Sequence, residues 1–488
     1  MHDSLARRPT ELWRWDAIEL AAGIRDRDIS SKEAVTASLN RLASVNPIVN
    51  AVVDIQAERA LAAATAADGA VRRGEDLGPL HGVPVTIKDL VDQAGVANVN
   101  GVAAFRARIA RDDGTVVVNW RKAGAITIGR TNVPAFSSRW DTDNAVYGRT
   151  WNPWSRERTA GGSSGGAAAA LAVGIGALAH GTDLGGSIRY PAYCCGVAGI
   201  RPTMGRVPRG NGSDLPYTPL FADLIAVNGL LARHVRDLRV GLAAMSAGDI
   251  RDPLWVPAPL EGPPVPRPIK VALITEAPGL FTHASVRGAV RKAGVALADA
   301  GYLVEEVQTP SIDSAATLRA RLSAADLRNK AMEAMRTLAD PDMIRHVELF
   351  LEATPPFAGQ GEYQDALAQV MFQRRAWDIF LAGQSLVVGP NSGDLPFTIG
   401  LETRDLAAMR HILDAQALMT AVNLLGLPAV AVPTGVVPAI DAPHGLPVGV
   451  QVIGPRFRED LVLEAAEAIE TRLPVITPID PVNPTRLA

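Results

Sequence analysis

Thr159–Gly196 reads TAGGSSGGAAAALAVGIGALAHGTDLGGSIRYPAYCCG, and the reading of this stretch decides the rest of the chain. It opens on glycine and serine as a flexible linker would, becomes an alanine-rich apolar run, and closes on a second Gly-Gly-Ser. It can be a linker, a phosphate cradle or a catalytic site. A phosphate loop requires Gly-Lys-Ser/Thr after its glycines, whereas alanines follow Gly166, and no G-x-G-x-x-G is present. Gly161–Gly165 fits G-x-S-x-G, but a nucleophile elbow follows a hydrophobic strand, and the preceding NPWSRERTA reads as a loop.

Metal-assisted chemistry has little support. The eight histidines (His2, His81, His180, His234, His283, His346, His411 and His444) include no pair at i, i+4, and there is no H-E-x-x-H or C-x-x-C. Lysine is more informative. The chain has six lysines, Lys32, Lys88, Lys122, Lys270, Lys292 and Lys330, and arginine carries the remaining positive charge. Lys88 ends the alternating run VPVTIK. A lysine at the end of a core strand loses hydration, which disfavours the ammonium and lowers the pKa toward that of a general base. Arginine cannot take this role. The simpler alternative is a lysine that reaches solvent or pairs with Asp89.

The serines weaken that alternative. GTDLGGSIRYP places Ser187 after Gly185 and Gly186, whose backbone N–H groups are open to a substrate carbonyl. Two glycine-flanked serines and one strand-end lysine suggest a relay in which Ser187 attacks, a second serine bridges and Lys88 holds the proton.

Around this centre the chain reads as alternating helices and strands. Residues 15–75 read as helices, with Ser30 and Glu33 as a capping box. GTVVVNWRKAGAITIGR reads as a helix, a turn at Gly124 and a strand over 125–129; Gly166–Leu171 reads as a helix. AVAVPTG and PVGVQVIGP read as late strands, and Glu459–Glu470 as a final helix. Such alternation implies an α/β sheet covered by helices on both faces. Met204–Asn228 reads as a long loop, 257–268 as a proline-rich connector, and 310–385 as a helical, charged insertion or lid. With 488 residues, no internal repeat and no strong linker, one large domain over 1–488 is expected.

The net charge of −3 gives no reason to expect nucleic acid or an anionic membrane as a partner. Cys194 and Cys195 are adjacent and poorly placed for an unstrained disulfide, so they read as structural thiols in a reducing, cytoplasmic setting. The first residues contain no apolar signal-peptide core, and the run Ala167–Ala179 is too short and glycine-broken to span a bilayer.

The chain resembles the amidase signature family of serine hydrolases. The resemblance rests on GVPVTIKD (82–89), GRTNVP (129–134), GGSSGG (161–166), GTDLGGSIRYPA (181–192), VNLLGLPAVAVPTG (422–435) and GLPVGVQVIG (445–454), and it covers most of the chain outside about 205–385. Together these segments are far more specific than a lone G-x-S-x-G, and the spacings agree, with 75 residues from Lys88 to Ser163 and 24 from Ser163 to Ser187.

The resemblance implies a single amidase domain with a mixed, twisted sheet and its signature core at about 75–205. It also implies a Ser–cisSer–Lys triad, with Ser187 as nucleophile, Ser163 as bridging serine after a cis bond, and Lys88 as base. Oxyanion donors then fall on Leu184, Gly185, Gly186 and Ser187, and Ser137 lies where the family's pocket is lined by backbone. Ser164 is auxiliary, while Asp183 and Arg189 read as supports of the turn. No cofactor or metal is implied. The expected substrate is a small amide, with linear or cyclic nylon-type amides, aryl amides and carbamates all open. A homodimer is left open.

The A subunit of tRNA-dependent amidotransferases shares these motifs but typically reads KTNMDEF where RTNVPAF stands here, which favours a free-standing amidase. A silent scaffold would be favoured if a triad residue were missing, and all three are present. Trp140, Tyr147, Trp151 and Trp154 are candidate pocket aromatics, with core packing as the commoner role of tryptophan. Arg209, Tyr217 and Phe221 are expected to shape the substrate entrance.

Overall fold

The computed structural model describes residues 9–213, 219–277 and 279–483. Its centre is an 11-stranded sheet. In chain order the strands are β1 (Val52–Ile55), β2 (Pro84–Lys88), β3 (Ile126–Thr131), β4 (Leu178–Asp183), β5 (Ala198–Arg201), β6 (Val227–Ala232), β7 (Lys270–Leu273), β8 (Leu303–Glu306), β9 (Leu386–Pro390), β10 (Ala429–Ala439) and β11 (Ala442–Ile453). Across the sheet they run β1-β3-β2-β4-β6-β5-β10-β11-β9-β7-β8. Strands β3, β2 and β4 are parallel, as are β9, β7 and β8. The strands between them, and the edge strand β1, pair antiparallel. The sheet is therefore mixed, and helices cover both faces.

All five residues of β2 are buried, so its alternation separates two covered faces and not a dry face from a wet one. Val83, Val85 and Ile87 pack with Val116, Trp120 and Leu230 on one side. The other parity carries Thr86 and Lys88 toward the face occupied by the alanine-rich helix Gly165–Ala172. That helix is buried all round, as its uniformly apolar sequence requires. Its start is packed so closely that a Cβ at Gly166 would collide with the Asn132 amide.

The capping box at Ser30 and Glu33 forms, opening the helix Ser31–Val49. The turn at Gly124 and the helix Glu459–Glu470 also occur where the sequence suggests. AVAVPTG and PVGVQVIGP become β10 and β11, which extend beyond those motifs and pair as one antiparallel hairpin.

Other expectations need correction. Within the supposedly helical 15–75, Val52–Ile55 forms an edge strand; four residues are too few for periodicity to reveal. The region 204–228 is not all loop, since it includes the helix Leu220–Asp223 and the start of β6. The segment 310–385 is helical as expected, with Ile312–Asp326, Met332–Leu338, Pro341–Ala353 and Gln360–Gln384 as its main helices. No helix among the described residues is long and apolar enough to cross a membrane.

Candidate active site

Strand β4 ends at Asp183, Leu184–Gly186 turn the chain, Ser187 follows, and the helix Arg189–Cys195 carries it away. The turn is built around the Asp183 carboxylate. Oδ1 accepts the Gly186 N–H at 2.9 Å and Oδ2 the Ile188 N–H at 3.3 Å. Arg189 donates Nε to Oδ2 at 3.0 Å and Nη2 to Oδ1 at 3.1 Å. Burial alone would raise the Asp183 pKa, but Arg189, Arg201 and Asn423 outweigh it and hold the carboxyl well below the usual range. Arg189 also donates to Gln451 of β11 and to Asn423 of the helix Ala417–Leu425, each at 2.8 Å. Asp183 and Arg189 thus sit at the centre of a buried network that ties the turn to the middle of the sheet.

The second serine loop packs against the first. The Ser164 N–H donates to the Ser187 carbonyl at 3.1 Å, and the Gly162–Ser163 peptide bond is cis. Ser163 is buried and accepts from Lys88 Nζ at 2.7 Å. Lys88 Nζ also donates to Thr182 Oγ1 at 2.8 Å. Burial lowers the Lys88 pKa to about 7, with the Asp183 charge opposing the shift. The expected alternative partner, Asp89, is engaged elsewhere, with Arg130 Nη2 2.8 Å from its Oδ1.

The four expected oxyanion donors are not equivalent. The Gly186 N–H is already given to Asp183, whereas the N–H groups of Leu184, Gly185 and Ser187 have no acceptor among the described residues. Gly186 has φ +97°, a conformation that favours glycine, and a Cβ there would collide with Met419 Sδ. Its contribution is to the shape of the turn. The signal available in the sequence was Asp183 itself, since an aspartate readily accepts a backbone N–H a few residues on.

Ser187 and Thr182 open onto a cavity of about 450 Å³. Ser137 lines it, with its hydroxyl donated to Asn100 Oδ1 at 2.7 Å. The walls include residues of the 204–228 segment (Arg209, Asn211 and Ala222) and of the 310–385 insertion (Arg319, Met335 and Phe350). Of the candidate aromatics, Trp140 lines the cavity and donates Nε1 to the Gly185 carbonyl at 3.0 Å. Tyr147 and Trp151 line a separate surface groove. Trp154 is buried, donating to the Cys195 carbonyl at 3.0 Å. Phe221 does not line the entrance; it packs into a core cluster with Ile225 and Leu318. Tyr217 lies outside the described residues.

Thr182, Arg201, Asn423, Gln451 and Arg319 were not picked out from sequence. Thr182, Asn423 and Gln451 lie within the family-like motifs, which was the available signal. Arg319 lies in the insertion, where no motif marks it.

A family model described as Amidase matches residues 33–463. Indoleacetamide hydrolase of Bradyrhizobium diazoefficiens is 43% identical over 470 residues, covering 95% of this chain and 88% of that protein. The A subunit of the glutamyl-tRNA(Gln) amidotransferase of Moorella thermoacetica is 32% identical over 486 residues, covering 94% and 97% respectively. Among solved structures, 6-aminohexanoate cyclic dimer hydrolase complexed with substrate superposes with a TM-score of 0.79 at 26% identity, covering 96% of this chain and all of that one. The chain belongs to the amidase family and is an amide-hydrolysing enzyme.

Proposed function

We propose that this enzyme hydrolyses arylacetamides of the indoleacetamide type by acyl transfer to Ser187. The observation that carries the reading is the Lys88–Ser163 contact of 2.7 Å, made by a buried amine whose pKa falls to about 7. Near neutrality a large share of that amine is unprotonated. With the Ser163 hydroxyl hydrogen turned to the Lys88 lone pair, Ser163 can accept the proton of Ser187 as it gives up its own.

Ser187 Oγ then adds to the amide carbonyl carbon, and the carbonyl π pair moves onto oxygen. The N–H groups of Leu184, Gly185 and Ser187 stabilise that oxyanion. The relay returns the proton to the departing nitrogen, the C–N bond breaks, and ammonia leaves an acyl ester on Ser187. Water, deprotonated by the same relay, cleaves the ester to the carboxylic acid and restores the serine.

The greater likeness to an indoleacetamide hydrolase than to the amidotransferase chain supports a free-standing hydrolase. A largely apolar cavity containing Phe136, Trp140 and Phe350 suits an aryl group. A carbamate presents the same carbonyl to the same serine and belongs in the same assay.

Purified enzyme should release ammonia from indoleacetamide without added partner proteins, and an aryl carbamate and a small aliphatic amide should turn over more slowly. Ser187→Ala should abolish turnover while keeping the fold, and a fluorophosphonate should label Ser187 by peptide mapping. Wild-type turnover in Ser187→Ala would overturn the nucleophile assignment. Faster cleavage of the aliphatic amide would overturn the substrate class.

A further inference from the structure

Between Asp183 and Ser187 every peptide carbonyl has a donor. The Asp183 carbonyl accepts Arg201 Nη1 at 3.2 Å and Asn423 Nδ2 at 3.4 Å. That of Leu184 accepts Arg319 Nη2 at 3.2 Å. The Gly185 carbonyl accepts Trp140 Nε1 at 3.0 Å, and the Gly186 carbonyl accepts the Tyr190 N–H at 2.8 Å. In a trans peptide the C=O and the following N–H point in opposite directions. Holding these carbonyls therefore aims the N–H groups of residues 184, 185, 186 and 187. Three remain unclaimed, and the fourth goes to Asp183.

Arg319 differs from the other holders because it comes from the helix Ile312–Asp326, in the insertion that also walls the cavity. It is 94% buried, being 6% exposed, and its Nε has no partner among the described residues. Gly185 leaves it room, since a Cβ there would lie 2.5 Å from Arg319 Nη2. A guanidinium on the Leu184 carbonyl orients the Leu184–Gly185 peptide and also polarises it, making the Gly185 N–H a stronger donor.

We propose that Arg319 is a positioning residue for acyl transfer, which sets the direction and donor strength of the Gly185 N–H and so makes the oxyanion site depend on the insertion helix. The inference rests on Ser187 being the nucleophile. It also predicts that changes in the insertion alter kcat and not only substrate affinity.

The test compares Arg319→Met, Arg319→Lys and Arg319→Gln with the native enzyme on indoleacetamide. Each is also titrated with an arylmethyl trifluoromethyl ketone, to whose carbonyl carbon Ser187 adds, leaving the charge on oxygen. Thermal melting checks the fold. Removal of one oxyanion donor costs about 10²–10³ in kcat. Weakening and misaiming one should cost Arg319→Met about 10–100-fold in kcat, with KM changed by less than about two-fold. Ketone affinity should fall by the same factor as kcat/KM.

Arg319→Lys should recover part of kcat by restoring a cation. If Arg319→Met does not fold, the Lys and Gln variants make the same decision, with kcat higher for Lys at equal KM. Unchanged kcat, a rise in KM alone, or equal kcat in Lys and Gln would overturn the proposal. Fluorophosphonate labelling of Ser187 in each variant separates this failure from failure of the nucleophile assignment, which would appear as loss of the label from Ser187 in the native enzyme.

Discussion

The Lys88 amine donates to Ser163 Oγ across 2.7 Å, and no carboxylate among the described residues lies within ion-pair distance of it. A buried amine with hydroxyl neighbours and no counter-ion is driven toward its neutral form, here to a pKa of about 7 with burial as the main cause.

This sets the pH dependence. In the proposed mechanism the neutral amine is the competent form, so the rate should rise as pH passes upward through about 7. The apparent value belongs to the coupled lysine–serine relay. Lys88→Ala should lose more activity at neutral than at alkaline pH, where hydroxide partly replaces the base. An unchanged kcat/KM profile in the variant would exclude Lys88 as the base.

Stability should follow the same group. The folded pKa of about 7 lies below the ~10.4 of a free lysine, so between these values the unfolded chain binds more protons. The native enzyme should therefore gain stability relative to Lys88→Met as pH rises from 7 to 10, read as the difference in denaturation midpoints. A difference independent of pH would contradict the buried-amine account.

The Asp183–Arg189 pair, with both side chains fully buried, makes a second stability prediction. Removing one partner of a buried pair leaves the other charge uncompensated, at a cost of about 3–5 kcal/mol. Asp183→Asn should lower the denaturation midpoint accordingly and disorder the Leu184–Ser187 turn. An unchanged midpoint with normal turnover would show that the turn does not depend on the ion pair. Because the Asp183 pKa is depressed, its contribution is present above pH ~3.9 and is lost as acid carries it through its folded value.

Gly186 tests the turn itself. Gly186→Ala drives a Cβ into Met419 Sδ at φ +97°, so both packing and backbone oppose it. Activity should be lost and the melting point lowered. Met419→Ala in the same chain should recover part of the melting point but not the activity, since space returns and the backbone preference does not. Full activity in the single variant would show that the turn tolerates another geometry.

Arg209 and Phe221, both in the 204–228 segment, should behave differently. Arg209 lines the cavity and pairs with Asp223 at 3.3 Å, so Arg209→Ala should change the kcat/KM ratio between indoleacetamide and a small aliphatic amide. Phe221 belongs to the core, and Phe221→Ala should cost about 3–5 kcal/mol of stability with little change in that ratio. The reverse pattern would place Phe221, and not Arg209, at the substrate.

The amino-acid sequence by itself determined the α/β class, the chemical character of the two glycine–serine segments and the candidacy of Lys88. These depend on local pattern: a fully apolar helix after Gly-Gly-Ser-Ser-Gly-Gly, a strand ending in lysine, and a glycine-flanked serine. It also singled out 204–228 as shaping the substrate entrance and 310–385 as an insertion or lid, because both lie outside the family-like motifs.

Tertiary structure alone decided which polar groups are already occupied. Asp89 is taken by Arg130, 41 residues away, and the Leu184 carbonyl by Arg319, 135 residues further along the chain. Pairing of a buried donor or acceptor depends on which groups the fold brings within about 3 Å, and sequence distance carries almost no information about that. The same reason separates Trp140, which reaches the Leu184–Ser187 turn, from Trp154, which fills the core; their residue type and motif context are alike, and only packing places one of them against Gly185.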